Sequence, residues 1–160
     1  MQKVSLICVG KLKEPFYAAA VAEYQKRLAR HCKLEIVELP EHRLGDDPSP
    51  AEIERALAYE AARIEEKLPR SATWIAMCVE GRELSSPQLS ETITRLGASG
   101  ASQLVFLIGG SFGLHPHIKE KAALCLSMSA MTFPHHLARV MLLEQIYRAY
   151  QIADGTKYHK

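Results

Sequence analysis

Two hydrophobic periods alternate along the chain. Residues 3–9 (KVSLICV), 34–39 (LEIVEL), 73–79 (TWIAMCV) and 103–108 (QLVFLI) are short runs rich in Val, Ile and Leu, and each predicts a strand. The first, third and fourth are apolar almost throughout, which suits a parallel sheet covered on both faces. The second is punctuated by Glu35 and Glu38 and suits an edge. Between these runs the apolar residues spread to helical intervals. Pro15 opens a first helix running to about Arg30. Ser49-Pro50-Ala51-Glu52 supplies a capping hydroxyl, a first-turn proline and an acid three residues after the cap, after which Ile53, Leu57, Ile64 and Leu68 mark one face. Ser86-Pro87 opens a third helix, with Leu89, Ile93 and Leu96 in phase and Gly97 as its stop. Pro116 opens a fourth, near residue 124, and Pro134 opens the last, reaching about Ala153. Such alternation, without repeats or a long linker, predicts an α/β fold. It consists of a single open, mostly parallel sheet with helices on both faces, in one domain over residues 1–160.

Composition narrows the class without naming a function. Apolar residues make up 48% of the chain and charged residues 24%, the balance of a globular protein. No apolar run reaches the length of a bilayer span, so no membrane association is expected. Lys11 and Lys13 follow the first apolar run where a signal peptide would continue, so that run reads as a strand and the location as cytoplasmic. Cys8, Cys32, Cys78 and Cys125 are scattered without a Cys-x-x-Cys pair and read as free thiols in a reducing compartment. A net charge of +2 makes no general case for nucleic acid. The distribution says more: residues 44–69 carry three Lys/Arg against seven Asp/Glu, and residues 121–160 carry five against two. A basic C-terminal end suits phosphate contacts.

Candidate chemistry gathers in three places. The fourth strand runs into Gly109-Gly110-Ser111-Phe112-Gly113-Leu114, at the carboxyl end of a strand, where α/β sheets bind ligands. The loop has neither the Lys-Ser/Thr of a P-loop nor the dinucleotide G-x-G-x-x-G, so its glycines serve a tight turn, a close ligand approach, or both. The uncharged stretch Leu126 to Pro134 reads as a last strand followed by a bend, whose free backbone groups, with Met and Phe beside them, could hold an adenine; a buried core strand is the alternative. His135, His136 and Arg139 open the last helix, a place suited to anions. His115-x-His117 and His135-His136 lack the spacing and carboxylate partners of a zinc enzyme, so no metal is expected. The last helix places Val140, Leu143, Tyr147 and Tyr150 on a broad apolar face, for the core or a subunit interface. The segment 40–50 (PEHRLGDDPSP) is the only long loop, a surface loop or a lid.

Taken in order, VGKLKEPFY, EGRELSS, LIGGSFGL, LSMSAMTFPH, ARVMLLEQIYRAY and the closing Tyr-His-Lys resemble the ribosomal large subunit methyltransferase H family, small SPOUT enzymes, over essentially the whole chain. The resemblance implies a C-terminal trefoil knot and a homodimer. It implies S-adenosylmethionine held by Met77, Gly109, Gly110, Met128, Ser129, Ala130, Met131, Thr132 and Phe133. Met77 is a mild departure, since the family usually has Leu there. The implied reaction is methylation of N3 of a pseudouridine in 23S rRNA on the assembled ribosome; the alternatives are a non-catalytic RNA- or ribosome-binding module of the same fold and a tRNA-directed SPOUT methyltransferase. His159 and Tyr158 are the expected proton-handling residues, with His135 as the alternative, and Arg139 is expected to meet phosphate or the anionic pyrimidine.

Overall fold

The computed structural model describes residues 1–100 and 103–160. The strands are β1 (Gln2–Val9), β2 (Cys32–Leu39), β3 (Ala72–Glu83), β4 (Gln103–Ile108) and β5 (Leu124–Ser127). The helices are α1 (Pro15–Leu28), α2 (Pro50–Lys67), α3 (Ser86–Ala98), α4 (Pro116–Lys121) and α5 (His135–Ala153). One five-stranded sheet has the order β2-β1-β4-β3-β5, and every neighbouring pair is parallel. The expected α/β sheet is therefore present, with the Glu-punctuated β2 at one edge.

Side-chain alternation in the central strands divides the interior into two layers. Val4, Leu6 and Cys8 of β1 and Leu104, Phe106 and Ile108 of β4 face α1, α3 and α5, where they meet Val21, Leu28, Leu89, Ile93, Leu142, Leu143 and Ile146. Ile7, Val9, Val105 and Leu107 face the other way, onto Ala61 and Ile64 of α2 and Ile118 of α4. Because β1 and β4 are covered on both sides, neither can carry a polar face, which explains their near-continuous apolar runs; the buried Ser5 of β1 is satisfied by accepting from Gln103 Nε2 at 2.6 Å.

Local chemistry sets the helix ends. Ser49 Oγ accepts from Glu52 N at 3.2 Å, as the sequence predicts. In α3 the cap is Ser85, one residue earlier than expected. Its Oγ accepts from Gln88 N while Gln88 Oε1 accepts from Ser85 N at 2.8 Å, a reciprocal capping box that places Ser86 and Pro87 inside the first turn. Gly97 does not stop α3, which continues to Ala98. A Cβ at Gly97 would lie 3.0 Å from Gln2 Nε2, a tight contact that a small shift of that side chain would relieve. The buried stripe of α2 is Ala56, Leu57, Glu60, Ala61 and Ile64, narrower and more alanine-rich than the large apolar residues suggest. Glu60 tolerates burial there by accepting from His42 N at 3.0 Å.

Two strand boundaries differ from expectation. β3 extends to Glu83 through a register shift between Met77 and Arg82, both of which pair with Leu126 of β5. β5 occupies Leu124–Ser127, which ends α4 at Lys121, and residues 128–134 form a loop instead of prolonging the strand. At the irregularity, a Cβ on Gly81 would sit 2.7 Å from the carbonyl oxygen of Cys125. Backbone cannot yield as a flexible side chain does. Gly81→Ala is therefore expected to destabilise the protein by about 1–3 kcal/mol, read as a lowered urea midpoint with an unchanged m-value.

Candidate active site at the carboxyl edge of the sheet

Five parallel strands deliver all their carboxyl ends to one edge, so the loops leaving β1, β2, β3, β4 and β5 share a rim. The register decides which residues meet there. Ala76 of β3 is level with Leu107 of β4, which puts Met77 level with Ile108, next to Gly109. On its other side Met77 pairs with Leu126, two residues before Met128. Met77, inside β3, thus stands between the strand that runs into the Gly109-Gly110 turn and the strand that runs into the 128–133 loop, so the three segments expected to hold a cofactor lie on adjacent strands.

The glycine turn is shaped by both demands raised by its sequence. A Cβ at Gly109 would overlap the Gly113 carbonyl, and Gly113 N donates to Gly110 O at 3.0 Å with Gly113 at φ +79°. At Gly110 a Cβ would lie 2.7 Å from Glu41 Oε1. That carboxylate oxygen accepts from Ser111 N at 3.1 Å and Ser111 Oγ at 2.9 Å, pinning the glycine turn to the segment after β2. Burial would raise the Glu41 carboxyl, but the two Ser111 hydrogen bonds prevail and hold it below its ordinary value. Loop 40–49 is thereby tied at Glu41 and, through His42 N, at Glu60.

The 128–133 loop makes its own short-range bonds. Ser127 Oγ donates to Ser129 O at 2.9 Å, and Met131 N donates to Ser129 Oγ at 3.1 Å. Met128, Ser129 and Phe133 are half-buried; Ala130, Thr132 and Met131 are exposed, Met131 to 71%. An apolar side chain so open, in a segment with unladdered backbone groups, has the character of a binding loop. His135 and His136 follow as the first residues of α5. A Cβ at Gly10 would find His135 Nε2, His136 Nε2 and Glu41 Oε2 each within 3.9 Å, so these groups crowd the same corner of the rim. Burial and the adjacent His136 push the His135 imidazole below its usual value, which keeps it neutral and able to accept a proton near neutral pH.

Arg139 lies beneath this corner and is 1% exposed. Its Nη1 donates to Glu38 Oε2 at 2.6 Å and its Nη2 to Gly10 O at 3.1 Å, while Glu38 Oε2 also accepts from Leu12 N at 3.0 Å. Burial favours a neutral Glu38, but the guanidinium hydrogen bond outweighs it and holds the carboxyl below its usual range. The same burial pushes the neighbouring Cys8 thiol up to about 12, so Cys8 is inert; Cys32, Cys78 and Cys125 are likewise free thiols. Arg139 reaches the rim through Glu38 and Gly10, not by direct exposure.

The final residues fold back on α5. Tyr158 Oη donates to Glu144 Oε1 at 3.2 Å, its ring lies 4.9 Å from that of Tyr147, and the Arg148 guanidinium sits 4.8 Å from its centroid. Burial, then the Glu144 carboxylate, raises the Tyr158 phenol, so it stays protonated. His159 Nδ1 lies 3.3 Å from Arg148 Nη1. A guanidinium can only donate, so Nδ1 is the accepting nitrogen and the neutral ring carries its proton on Nε2. Glu144 also lines a cavity of about 500 Å³ whose other walls include Met128, Leu126, Ser86, Val140 and Tyr24. That volume suits a small-molecule ligand, and it links the 128–133 loop to the helix that holds the tail. His135 and His159 are thus presented from opposite ends of α5.

Glu38, Glu41, Glu144 and Arg148 were not singled out in the sequence. Only the last two carry a local signal, an i,i+4 Glu–Arg pair at 2.6 Å on one helix face. Val140 and Tyr147 are half-buried, while Leu142, Leu143, Ile146 and Ala149 form the deepest part of α5. His115 and His117 are engaged by Glu54 at 2.7 Å and Glu65 at 2.6 Å, joining α4 to α2. Among the described residues no three His, Cys, Asp or Glu side chains gather as a metal site.

Residues 2–159 match the family model described as "Predicted SPOUT methyltransferase". The chain is 48% identical over 158 residues to a protein from Bifidobacterium adolescentis named ribosomal RNA large subunit methyltransferase H. It is 45% identical over 158 residues to one of the same name from Streptococcus equi subsp. zooepidemicus. Each alignment covers 99% of both chains. Among solved structures, a probable methyltransferase from Bordetella pertussis aligns with a TM-score of 0.56 at 17% identity, over 93% of this chain and 96% of the other, a likeness of fold.

Two outcomes test this geometry. Arg139→Met should cost about 3 kcal/mol, because Glu38 and the Gly10 carbonyl lose their partner, and Glu38→Ala should cost at least as much by leaving a buried cation; urea unfolding measures both. His135 is depressed in the folded state, so the unfolded chain binds the extra proton first. Its contribution to stability is complete above about pH 6.5 and is lost as pH falls through the lower folded value. His135→Gln should therefore flatten the fall in urea midpoint below about pH 6.5 relative to wild type.

Proposed function

We propose, because the chain belongs to the SPOUT methyltransferase family, that it methylates N3 of a pseudouridine in 23S rRNA on the assembled ribosome, with S-adenosylmethionine as donor. The observation that carries this reading is the register that sets Met77 between the strands running into the Gly109-Gly110 turn and the 128–133 loop. The relatives named for methylation of large-subunit rRNA align end to end with the chain, which supports the substrate class.

The residues suit such a donor. Met77, Met128 and Phe133 offer apolar, polarisable surface; Gly109 and Gly110 allow close backbone approach; Ser129, Ala130, Met131 and Thr132 offer polar backbone groups outside any ladder. When bound, S-adenosylmethionine supplies an electrophilic methyl on its sulfonium. The chain must hold the acceptor ring in line and remove the N3 proton. General-base help contributes typically 10²–10⁴-fold, whereas alignment can contribute on the order of 10⁵ M or more in effective molarity, so positioning is the larger task. His159 is proposed as the proton acceptor through Nδ1, once the bound substrate displaces that nitrogen from Arg148, with Tyr158, protonated and anchored on Glu144, fixing its approach. The neutral, half-buried His135 is the alternative, favoured by its place directly after the cofactor loop. Arg139 braces that loop's exit through Glu38 and so orders the ground on which phosphate or the anionic ring is met.

The same reading includes one domain over residues 1–160, a knotted C-terminal part, a homodimer and a cytoplasmic location with the ribosomes. In a symmetric pair the tail of one subunit can complete the site of the other.

Incubating the purified protein with labelled S-adenosylmethionine and either assembled ribosomes or naked 23S rRNA, then mapping the methylated base, tests the reading directly. Label on a single pseudouridine of assembled ribosomes is expected; no transfer to any ribosomal RNA would refute it. His159→Ala should lower turnover by about 10²-fold or more, and unchanged turnover at limiting substrate removes His159 from the mechanism. Affinity for the ribosome should fall as salt rises, by counterion release.

A further inference from the structure

The turn joining β1 to α1 carries outward-facing chemistry that neither the core nor the donor-binding segments use. Phe16, in the first turn of α1, is 65% exposed, and Lys11, Lys13 and Pro15 beside it are exposed too. A lone surface Phe needs no explanation. This one is carried on a braced support. Gly10 N donates to Leu39 O at 2.7 Å, Gly10 O accepts from Arg139, and Leu12 N donates to Glu38. At the helix start, Glu14 Oε2 lies 3.2 Å from His136 Nδ1.

These contacts also sort the charges. The acids of the region, Glu14 and Glu38, are engaged by His136 and Arg139, while Lys11, which also lowers the Glu38 carboxyl at longer range, and Lys13 are exposed and make no direct ion pair among the described residues. Phe16 ends a row of rings that leads back to the site. Its centroid lies 4.4 Å from that of Tyr17, Tyr17 lies 6.2 Å from His136, and His136 lies 4.4 Å from His135, two residues after Phe133 of the cofactor loop.

We infer that this turn is a foothold for unpaired RNA nucleotides flanking the methyl acceptor, with Phe16 stacking on one base and Lys11 and Lys13 meeting the adjoining phosphates. The inference rests on the rRNA-methylating function proposed above. Charge complementarity selects RNA over an apolar protein partner, since two exposed lysines border the ring and its exposed neighbours in sequence, Pro15, Ala18 and Ala19, add only small apolar surface. An aromatic face accepts any base, so the contact adds grip without reading sequence, and the adjacent phosphates fix its register.

The test uses the full chain with large ribosomal subunits that lack the methyl mark, measuring kcat, KM and the Kd for S-adenosylmethionine. Phe16→Ala should raise KM for the subunit by roughly 5- to 100-fold, the range for losing one base–aromatic stack, with donor affinity unchanged. Phe16→Trp should restore KM and Phe16→Leu should not. Lys11→Ala with Lys13→Ala should flatten the slope of log affinity against log salt by about 1.4, two contacts at ~0.7 each on single strands. A wild-type KM in Phe16→Ala overturns the inference while leaving the methyltransferase reading intact. So does a Phe16→Leu variant as good as Phe16→Trp, which marks a protein contact, or a Phe16→Ala variant that loses self-association in sedimentation. Wild-type protein that transfers no methyl at all overturns the function and this inference together.

Discussion

A guanidinium taken out of water must be answered by acceptors, and the rim of this protein is organised around that requirement. Arg139 is withdrawn from solvent at the start of α5, and its answering groups come from two other elements: the Glu38 carboxylate of β2 and the Gly10 carbonyl just beyond β1. The penalty for leaving such a charge unpaired is several kcal/mol. Three segments far apart in sequence are therefore held in one relation. The exit of the 128–133 loop, the turn after β1 and the end of β2 cannot move independently. Glu41, three residues past Glu38, extends the same constraint to the glycine turn through Ser111. Preorganisation of this kind is what a transferase acting by alignment requires.

Much of this architecture was legible because it rests on local rules. Near-continuous apolar runs marked β1, β3 and β4, and the Ser49 cap and first-turn prolines marked helix starts. The segments proposed for the donor were named because their order and spacing resemble one family. Long-range pairing was not legible. Nothing local to Glu38 distinguishes it from Glu35 on the same edge strand, and only the fold reveals that one of them meets a buried arginine. Arg139 read as a cation free for phosphate because sequence shows charge, not depth. Likewise α3 begins one residue early because Ser85 and Ser86 are equally good caps in isolation; Gln88, three residues after Ser85, decides between them.

The boundary errors share a physical cause. β5 stops at Ser127, although the following residues are uncharged and strand-like, because Ser127 and Ser129 offer the backbone local hydrogen bonds in place of a ladder. β3 runs further than its apolar stretch because pairing with β5 resumes beyond the Gly81 irregularity, where a glycine lets two backbones approach.

The sheet order carries a kinetic consequence. The two central strands meet with Lys3 level with Gln103, so the middle of the fold closes across about a hundred residues of chain. Closing a loop of that size costs on the order of 4 kcal/mol in chain entropy before any contact within it compensates. Topologies dominated by such distant pairings fold slowly. The turns that leave β1 and β4, where Val9 packs beside Gly110, can meet only after that closure, so this corner of the rim is assembled late, once most of the chain has been made.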